Sequence, residues 1–199
     1  MSAVPTGSPT RNWVMAVPPG TLFSRRDVPG PASAVDPALS RLASDSGPIE
    51  RVRRGLYRRR PEMTRFGVPS ADPLEVALAV AGPGAGPAGA SAVNATGLST
   101  QVPRRPIVAV IGRPPAGVTG VRLTSRANPL RVLLDPHGIA VLESIRAFDE
   151  LAEIGWPEAL NRLGNFRKVA GVPTSTLATV AEGERGELLR RRVAELTSE

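Results

Sequence analysis

The feature that most constrains this chain is an amphipathic segment followed directly by an arginine-rich segment that turns at a glycine. Within residues 33–46, apolar side chains recur at i, i+3, i+4 and i+7, the spacing of one helical face, and they are Val35, Ala38, Leu39 and Leu42. Residues 49–52 and 56–60 flank Arg53-Arg54-Gly55, and glycine supplies the positive φ of a tight hairpin turn. We therefore expect a packed helix followed by a two-stranded ribbon.

The start of that helix is open between two positions. Ser33 can cap the helix, but Pro37 then lies in its interior and removes a helical N–H. Asp36 can cap it instead, which puts Pro37 at the first helical position, where proline is tolerated. Both alternatives leave Ser33, Ala34, Pro37, Ser40 and Arg41 outside the apolar stripe.

Two shorter helical signals precede this helix. Ser8-Pro9 can cap a helix that carries Trp13 and Val14, and Ser24 can cap a helical turn over residues 25–28. A short helix, a tight turn, a longer helix and a ribbon are together typical of a winged helix-turn-helix. In that fold the longer helix can enter the major groove of DNA, while the ribbon, or wing, lies along the phosphates.

The charge distribution favours a polyanionic partner for the front of the chain. Residues 1–65 carry 11 arginines and 5 acids, whereas residues 135–199 carry 8 basic residues and 11 acids. Arginine suits phosphate recognition because its planar fork binds phosphate through two hydrogen bonds. The predicted DNA-contacting residues are Arg25, Arg26, Ser33, Ala34, Pro37, Ser40, Arg41, Arg53, Arg54, Arg58, Arg59 and Arg60. We expect Arg58, Arg59 and Arg60 on the solvent side of the ribbon, apart from any that alternate inward beside Tyr57.

Composition makes several other classes unfavourable. The chain has no cysteine and one histidine, His137, which excludes disulfides and thiolate metal sites and leaves little for histidine-based catalysis. There is no apolar run of the length that spans a membrane and no secretory signal pattern. We therefore expect a cytoplasmic, non-enzymatic protein with no catalytic residues, cofactor, metal or membrane partner.

Beyond residue 65 the chain predicts a mixed domain that ends in helices. Helices are expected over residues 72–81, 91–96, 139–153, 157–169, 174–182 and 184–196, and short strands over 107–111, 118–124 and 130–134. The fold class is thus α/β (α+β), with a winged helix-turn-helix over residues 1–65 and a second domain over residues 66–199.

Four further patterns have ordinary structural interpretations. The G-x-G-x-x-G spacing from Gly84 to Gly89 resembles a dinucleotide fingerprint, but no strand precedes it and no acid follows about 20 residues on, so a flexible loop over residues 82–90 is favoured. His137 lies in an expected turn. The acids Glu143, Asp149, Glu150 and Glu153 read as a solvated helix face. We expect the last helix, which contains Arg190, Arg191 and Arg192, to be packed or to lie at an interface.

Two blocks of the sequence resemble the AbiEi-type antitoxins of abortive-infection, type IV toxin–antitoxin systems. The first block contains Gly20-Thr21-Leu22-Phe23, residues 38–42 (ALSRL) and residues 49–57 (IERVRRGLY). The second is residues 92–103, AVNATGLSTQVP. The blocks occur in the family's order and cover roughly residues 12–125.

The resemblance implies a function that composition does not. Family members are bacterial antitoxins that pair with a nucleotidyltransferase-like toxin and repress their own promoter by binding DNA repeats through the winged domain. A C-terminal domain handles neutralisation or pairing between DNA-bound copies. On this basis the predicted partners are operator DNA, the toxin and a second copy, and the candidate contacts to toxin or self are Asn94, Ser99, Thr100 and Gln101.

Two alternatives from other classes stay open at this stage. One is a transcriptional regulator whose C-terminal domain senses a small molecule and which has no toxin. The other is an enzyme with a nucleotide site between Gly84 and Gly89. Tight binding of a dinucleotide would favour the enzyme, and a neighbouring nucleotidyltransferase gene would favour the antitoxin.

Overall fold

The computed structural model describes residues 8–198 of the chain. It combines α-helices with two small three-stranded sheets, which confirms a mixed α/β architecture. The chain divides into two compact units, the first extending to Ala79 and the second beginning at Val80. The first unit thus includes the segment after residue 65 that the sequence assigned to the second domain.

The N-terminal unit alternates short helices and strands. Helix α1 begins at the predicted cap, where Ser8 Oγ accepts a hydrogen bond from the Arg11 amide. A 3-10 turn also begins as predicted, at Ser24, whose side chain and that of Asp27 form a reciprocal capping box. The elements are α1 Pro9–Ala16, β1 Leu22–Ser24, the 3-10 turn Arg25–Asp27, α2 Ala32–Leu42, β2 Ile49–Arg53, β3 Leu56–Arg59 and α3 Pro73–Ala81, whose last two residues belong to the second unit.

The predicted ribbon is confirmed and gains a third strand. The sheet order is β1-β3-β2, with both pairs antiparallel, and Gly55 adopts a φ of +79° in the turn between β2 and β3. Phe23 lies opposite Tyr57, and their rings stack with centroids 5.9 Å apart. The core of this unit forms where these rings meet the apolar sides of the helices: Val14, Phe23, Val28, Val35, Leu39, Leu42, Ile49 and Tyr57.

Helix α2 begins earlier than either predicted position. Its first residue is Ala32, its N-cap is Pro31, and no side chain caps it. Pro37 is therefore inside the helix, where it has no N–H to donate to the Ser33 carbonyl four residues before it. The predicted apolar stripe is confirmed, because Val35, Ala38, Leu39 and Leu42 are all buried.

The C-terminal unit packs four long helices beside a small sheet. The sheet order is β4-β5-β6, with β4 antiparallel and β6 parallel to the central strand β5. The helices predicted after residue 138 are confirmed, with their ends shifted by a few residues. The elements are β4 Gly86–Pro87, α4 Ala90–Ala95, β5 Ile107–Ile111, β6 Arg122–Arg126, the 3-10 helix Pro129–Leu133, α5 Pro136–Leu151, α6 Trp156–Val169, α7 Thr174–Glu182 and α8 Glu187–Thr197.

Two strand predictions in this unit need correction. The strand expected over residues 130–134 is a 3-10 helix, because Asn128 Oδ1 accepts from the Leu130 amide and Pro129 occupies the first helical turn. The strand expected over residues 118–124 is β6, which begins later and extends to Arg126. His137, expected in a turn, lies in the first turn of α5, where Asp135 is the N-cap, and it is exposed.

The segment over residues 82–90 is not the expected open loop. It contains β4, and residues 84–88 are buried. A Cβ on Gly86 would lie 2.5 Å from Ile139 Cβ, and one on Gly84 would lie 2.8 Å from the Arg131 backbone. These two glycines are therefore required for close packing against α5 and the preceding 3-10 helix.

The last helix packs as predicted. Leu189, Val193 and Leu196 are buried on its inner side. The Arg192 guanidinium donates two hydrogen bonds to Asp149, at 2.7 and 2.8 Å, and lies over the Phe148 and Trp156 rings. None of the helices within residues 8–198 is both long and apolar enough to cross a membrane.

Candidate nucleic-acid interface

The outer side of α2 presents the residues that the sequence assigned to base contacts. Ser33, Ala34, Pro37, Ser40 and Arg41 are all exposed, because the opposite side of the helix is held in the core. The surface is small and carries two charged side chains, Arg41 and Asp36, whose carboxylate pairs with Arg25. Arg41 Nε donates to the Pro37 carbonyl at 3.3 Å, which leaves both terminal nitrogens of the guanidinium without a partner among the described residues.

Helix α1 adds an arginine that the sequence analysis missed. Arg11 and Arg41 line the same shallow cleft of about 280 Å³, together with Ser8, Ala38 and Leu42. Arg11 is exposed. The sequence could have predicted this position, because a helix that begins at the Ser8-Pro9 cap has Arg11 in its first turn.

Arg25 and Arg26, which were both predicted to contact DNA, have different surroundings in the turn before α2. Arg25 is held within the turn, since its Nη2 donates to the Gly30 carbonyl at 3.1 Å and its Nε lies 3.4 Å from Asp36 Oδ1. Arg26 is exposed and makes no side-chain hydrogen bond or ion pair with the residues described. Arg25 thus links the turn to α2, while Arg26 is available to a ligand.

The tip of the ribbon carries exposed positive charge. Arg54, next to Gly55, is exposed, and its side chain makes no hydrogen bond or ion pair within residues 8–198. Arg53 is half-buried beside it. Arg51, which was not among the predicted contacts, is exposed as well, next to an irregularity in the β2–β3 register between Arg51 and Arg53.

Arg58 is not on the solvent side of the ribbon, which corrects the expectation for that residue. Its side chain is only 5% exposed, and its Nε lies 2.8 Å from Glu50 Oε1 on the neighbouring strand. Its Nη2 donates to the Pro69 carbonyl. The sheet face opposite the helices is therefore covered at this point by the chain that follows residue 60.

Arg59 and Arg60 are half-buried, and both bind the turn that follows α2. Arg59 Nη1 donates to the Pro48 carbonyl at 2.6 Å, and Arg60 Nε donates to the Gly47 carbonyl at 2.7 Å. Arg60 Nη2 also donates to the Ser44 carbonyl at 3.2 Å. These two guanidiniums satisfy backbone acceptors at the end of α2, so they fix the ribbon relative to that helix.

Nine of the eleven arginines of the N-terminal unit fall into two groups, and the other two are Arg53, which is half-buried, and Arg65, which lies over the Phe66 ring. One group is engaged within the fold: Arg25, Arg58, Arg59 and Arg60. The other group is exposed, and we call it the open arginines: Arg11, Arg26, Arg41, Arg51 and Arg54. An exposed guanidinium with free N–H groups is the side chain best suited to bidentate phosphate contacts.

In the C-terminal unit, the segment proposed to contact toxin or a second copy is anchored by one acid. Ser99 Oγ donates to Glu153 Oε1 at 2.9 Å, while the Thr100 amide and hydroxyl donate to Oε2 at 2.9 and 3.0 Å. The backbone hydrogen bond from Thr100, with those from the two hydroxyls, lowers the pKa of Glu153. Asn94 Nδ2 donates to the Ser99 carbonyl at 3.3 Å. Ser99 is buried, whereas Thr100 and Gln101 are exposed.

The acidic face expected on α5 is only partly solvated. Asp149, Glu150 and Glu153 are exposed, but Glu143 is 1% exposed and lies in a buried cluster of charges. Its carboxylate accepts from Arg126 Nε at 2.8 Å, from Arg126 Nη2 at 2.6 Å and from Arg131 Nη2 at 2.6 Å. Burial works against the charged form, but these hydrogen bonds and charges outweigh it and lower the pKa of Glu143.

Glu184 completes the cluster. It accepts from Arg131 Nε at 2.6 Å, from Asn128 Nδ2 at 2.9 Å and from Arg146 Nη2. Burial opposes its ionisation as well, yet the hydrogen bonds from Arg131 and Asn128 lower the pKa of Glu184. The cluster therefore holds three guanidiniums against two ionised carboxylates. Sequence reasoning did not find it, because its members come from β6, the 3-10 helix, α5 and the turn that follows α7.

Comparison with known proteins adds no relative. The chain matches no model of a known protein family and no curated protein at a significant level. Within the part of the chain that the structure describes, no three acidic or histidine side chains are grouped as metal ligands. The exposed side of α2 and the open arginines remain available to a ligand.

Proposed function

We propose that the N-terminal unit is a winged helix-turn-helix that binds duplex DNA, with α2 in the major groove and the β2–β3 ribbon as the wing. The observation that carries the proposal is the division of the arginines. Those between the helix and the ribbon hold the fold together, and the open arginines at the start of α1, in the turn, on α2 and at the ribbon tip are left to meet phosphates.

The order of elements supports the winged interpretation. A helix, a short strand, a helical turn, a second helix and a hairpin follow one another, and the short strand pairs with the second strand of the hairpin. Helix-turn-helix proteins read bases through exposed side chains near the start of their second helix. Ser33, Ala34 and Pro37 are in that position, and Arg41 follows one turn later.

We further propose that the protein is an antitoxin which represses its own promoter and counteracts a nucleotidyltransferase-like toxin. The support is the resemblance of residues 12–125 to AbiEi-type antitoxins. The second resembling block includes Ser99 and Thr100, which Glu153 holds in place. In this proposal the exposed Thr100 and Gln101 contact the toxin or a second copy.

The DNA part is tested by titrating the full chain against a duplex of its own promoter region and a random duplex of equal length. If four open arginines reach phosphates, log K should fall against log salt with a slope of about −4 for each winged unit. Two units on a symmetric pair of half-sites should roughly double that slope. Absence of duplex binding at low salt would remove the DNA proposal.

The antitoxin part is tested in cells that express the neighbouring nucleotidyltransferase-like gene. A full-length Arg26→Ala/Arg54→Ala variant should lose promoter repression and still relieve toxicity, because the proposal places neutralisation in the C-terminal unit. A Thr100→Ala/Gln101→Ala variant should show the reverse. Failure of the wild-type chain to relieve toxicity, or the absence of such a gene, would contradict the antitoxin assignment without affecting the DNA assignment.

A further inference from the structure

The buried charge cluster of the C-terminal unit has an open edge, where Arg126 and Arg146 line a pocket. This pocket of about 600 Å³ lies where β6 meets the following 3-10 helix and the end of α7. Its cationic lining comes from Arg126, Arg146 and Arg185, and its apolar lining includes Pro129 and Leu130. The volume falls within the range of about 300–1,000 Å³ that small-molecule sites occupy.

The carboxylates paired with the cluster within residues 8–198 do not balance its positive charge. Arg126, Arg131 and Arg146 face only two carboxylates, those of Glu143 and Glu184. Arg185 adds a further positive charge at the pocket wall. Asp149, the acid that lines the neighbouring smaller pocket, is already paired with Arg192. A surplus of positive charge at the wall of a pocket favours the binding of an anion there.

The pocket also has unused donors. Arg185 is exposed and its side chain makes no hydrogen bond or ion pair with any residue the structure describes. Arg146 binds Glu184 through Nη2, while its Nη1 makes no hydrogen bond with residues 8–198. Arg126, by contrast, donates its N–H groups to Glu143, Thr124 and Ser125. The free donors at the pocket thus belong to Arg146 and Arg185.

We infer that this pocket binds a small phosphate monoester, with its phosphate on Arg146 and Arg185 and its organic part against Pro129 and Leu130. The cluster surplus of one positive charge and the charge of Arg185 match the charge of about −2 that a phosphate monoester carries near neutral pH. Guanidinium forks bind phosphate through paired, charge-assisted hydrogen bonds. The inference does not depend on DNA or toxin binding.

The test is a titration of the full chain with three probes, followed through the backbone amide signals of Ala127, Gly183 and Arg185. Phenyl phosphate and inorganic phosphate should both saturate one site, and phenyl phosphate should bind about tenfold more tightly because its ring buries apolar surface. Dimethyl phosphate, which has one negative charge and mimics a nucleic-acid backbone, should bind about tenfold more weakly than inorganic phosphate. Equal or tighter binding of dimethyl phosphate would overturn the monoester assignment.

Two variants and a control locate the site. Arg185→Gln should weaken inorganic and phenyl phosphate alike, by at least about tenfold, because a charged hydrogen-bond donor is lost. Leu130→Ser should reduce the preference for phenyl over inorganic phosphate several-fold and leave inorganic phosphate unchanged. Arg122→Gln removes an exposed arginine at the other end of β6 and should change nothing. Absence of saturation, or equal losses in Arg185→Gln and Arg122→Gln, would overturn the inference.

Discussion

Arg58 and Glu50 are directly paired across β3 and β2 and form an ion pair on the sheet face opposite the helices, where Arg58 also donates to the Pro69 carbonyl. An arginine in the basic β2–β3 ribbon thus stabilises the fold. The pair also ties the segment after the ribbon to the sheet.

Removing Arg58 should therefore destabilise the N-terminal unit. Arg58→Ala leaves the Glu50 carboxylate without its ion-pair partner and the Pro69 carbonyl without its donor, and we expect a loss of about 1–3 kcal/mol in the free energy of unfolding. Urea unfolding measures this loss. The matched control is Arg54→Ala, an exposed arginine of the same ribbon, which should change stability by less than about 0.5 kcal/mol. Equal midpoints for the two variants would contradict the assignment of Arg58.

The two groups of arginines should separate in the salt dependence of DNA binding. Arg26→Ala/Arg54→Ala should flatten the slope of log K against log salt by about 2 units, since each phosphate contact contributes about 0.9. Specific and random duplexes should weaken alike, because phosphate contacts carry no sequence information.

The control for that experiment is Arg122→Ala/Arg191→Ala, which removes two exposed arginines of the C-terminal unit. Its slope should match that of the wild-type chain. A double loss of Arg26 and Arg54 that leaves the slope unchanged would place the ribbon tip and the turn outside the DNA interface.

Arg41 should instead affect how strongly the protein prefers promoter DNA over random DNA. It is the one charged side chain among the proposed base contacts on α2, and its terminal nitrogens are free for a bidentate contact to a base. Arg41→Ala should reduce the difference between promoter and random duplex by about 1–3 kcal/mol. Competition binding at fixed salt measures this difference. If both affinities fall equally, Arg41 contacts only phosphate.

The sequence predicts the elements of the N-terminal unit better than it predicts their exposed charges. The apolar stripe on α2 and the glycine turn at Gly55 are local signals, and both predictions are confirmed. The burial of Arg58 depends on Glu50 across the sheet and on Pro69 eleven residues on, so no local pattern reveals it.

The same reasoning explains the errors in the C-terminal unit. A strand was predicted because the apolar residues Val132, Leu133 and Leu134 are common in strands. The pair Asn128-Pro129 is typical of a helix start, so the sequence could have predicted the 3-10 helix. Glu143 reads as a solvated acid on its own helix, because the arginines that bury it come from β6 and the 3-10 helix. These predictions used local sequence patterns, which do not show which distant segments pair in the structure.

Pro37 should limit the stability of α2. Because it has no N–H, the Ser33 carbonyl lacks its helical donor, and interior prolines cost a helix about 3 kcal/mol. Pro37→Ala should restore the hydrogen bond and raise the free energy of unfolding of the N-terminal unit by about 1–3 kcal/mol. Pro37→Gly restores the same N–H but should gain about 1 kcal/mol less, since glycine is a poorer helix former than alanine. Loss of stability in both variants would show that the ring of Pro37 contributes packing that outweighs the missing bond.

The buried cluster should make the C-terminal unit sensitive to acid. Folding lowers the pKa of both Glu143 and Glu184, so each carboxylate contributes stability above its unfolded pKa of about 4.3 and loses that contribution as the pH falls through the lower, folded value. Unfolding followed by Trp156 fluorescence should therefore show stability falling below about pH 4.3.

Glu184→Gln should be less stable than the wild-type chain at neutral pH, and the difference should shrink on acidification, because the wild-type carboxylate is then also neutral. Asp149→Asn, on an exposed carboxylate whose pKa is lowered by Arg192, is the matched control and should show a much smaller change. A difference between wild type and Glu184→Gln that stays constant with pH would mean that the ionised carboxylate is not what holds the cluster together.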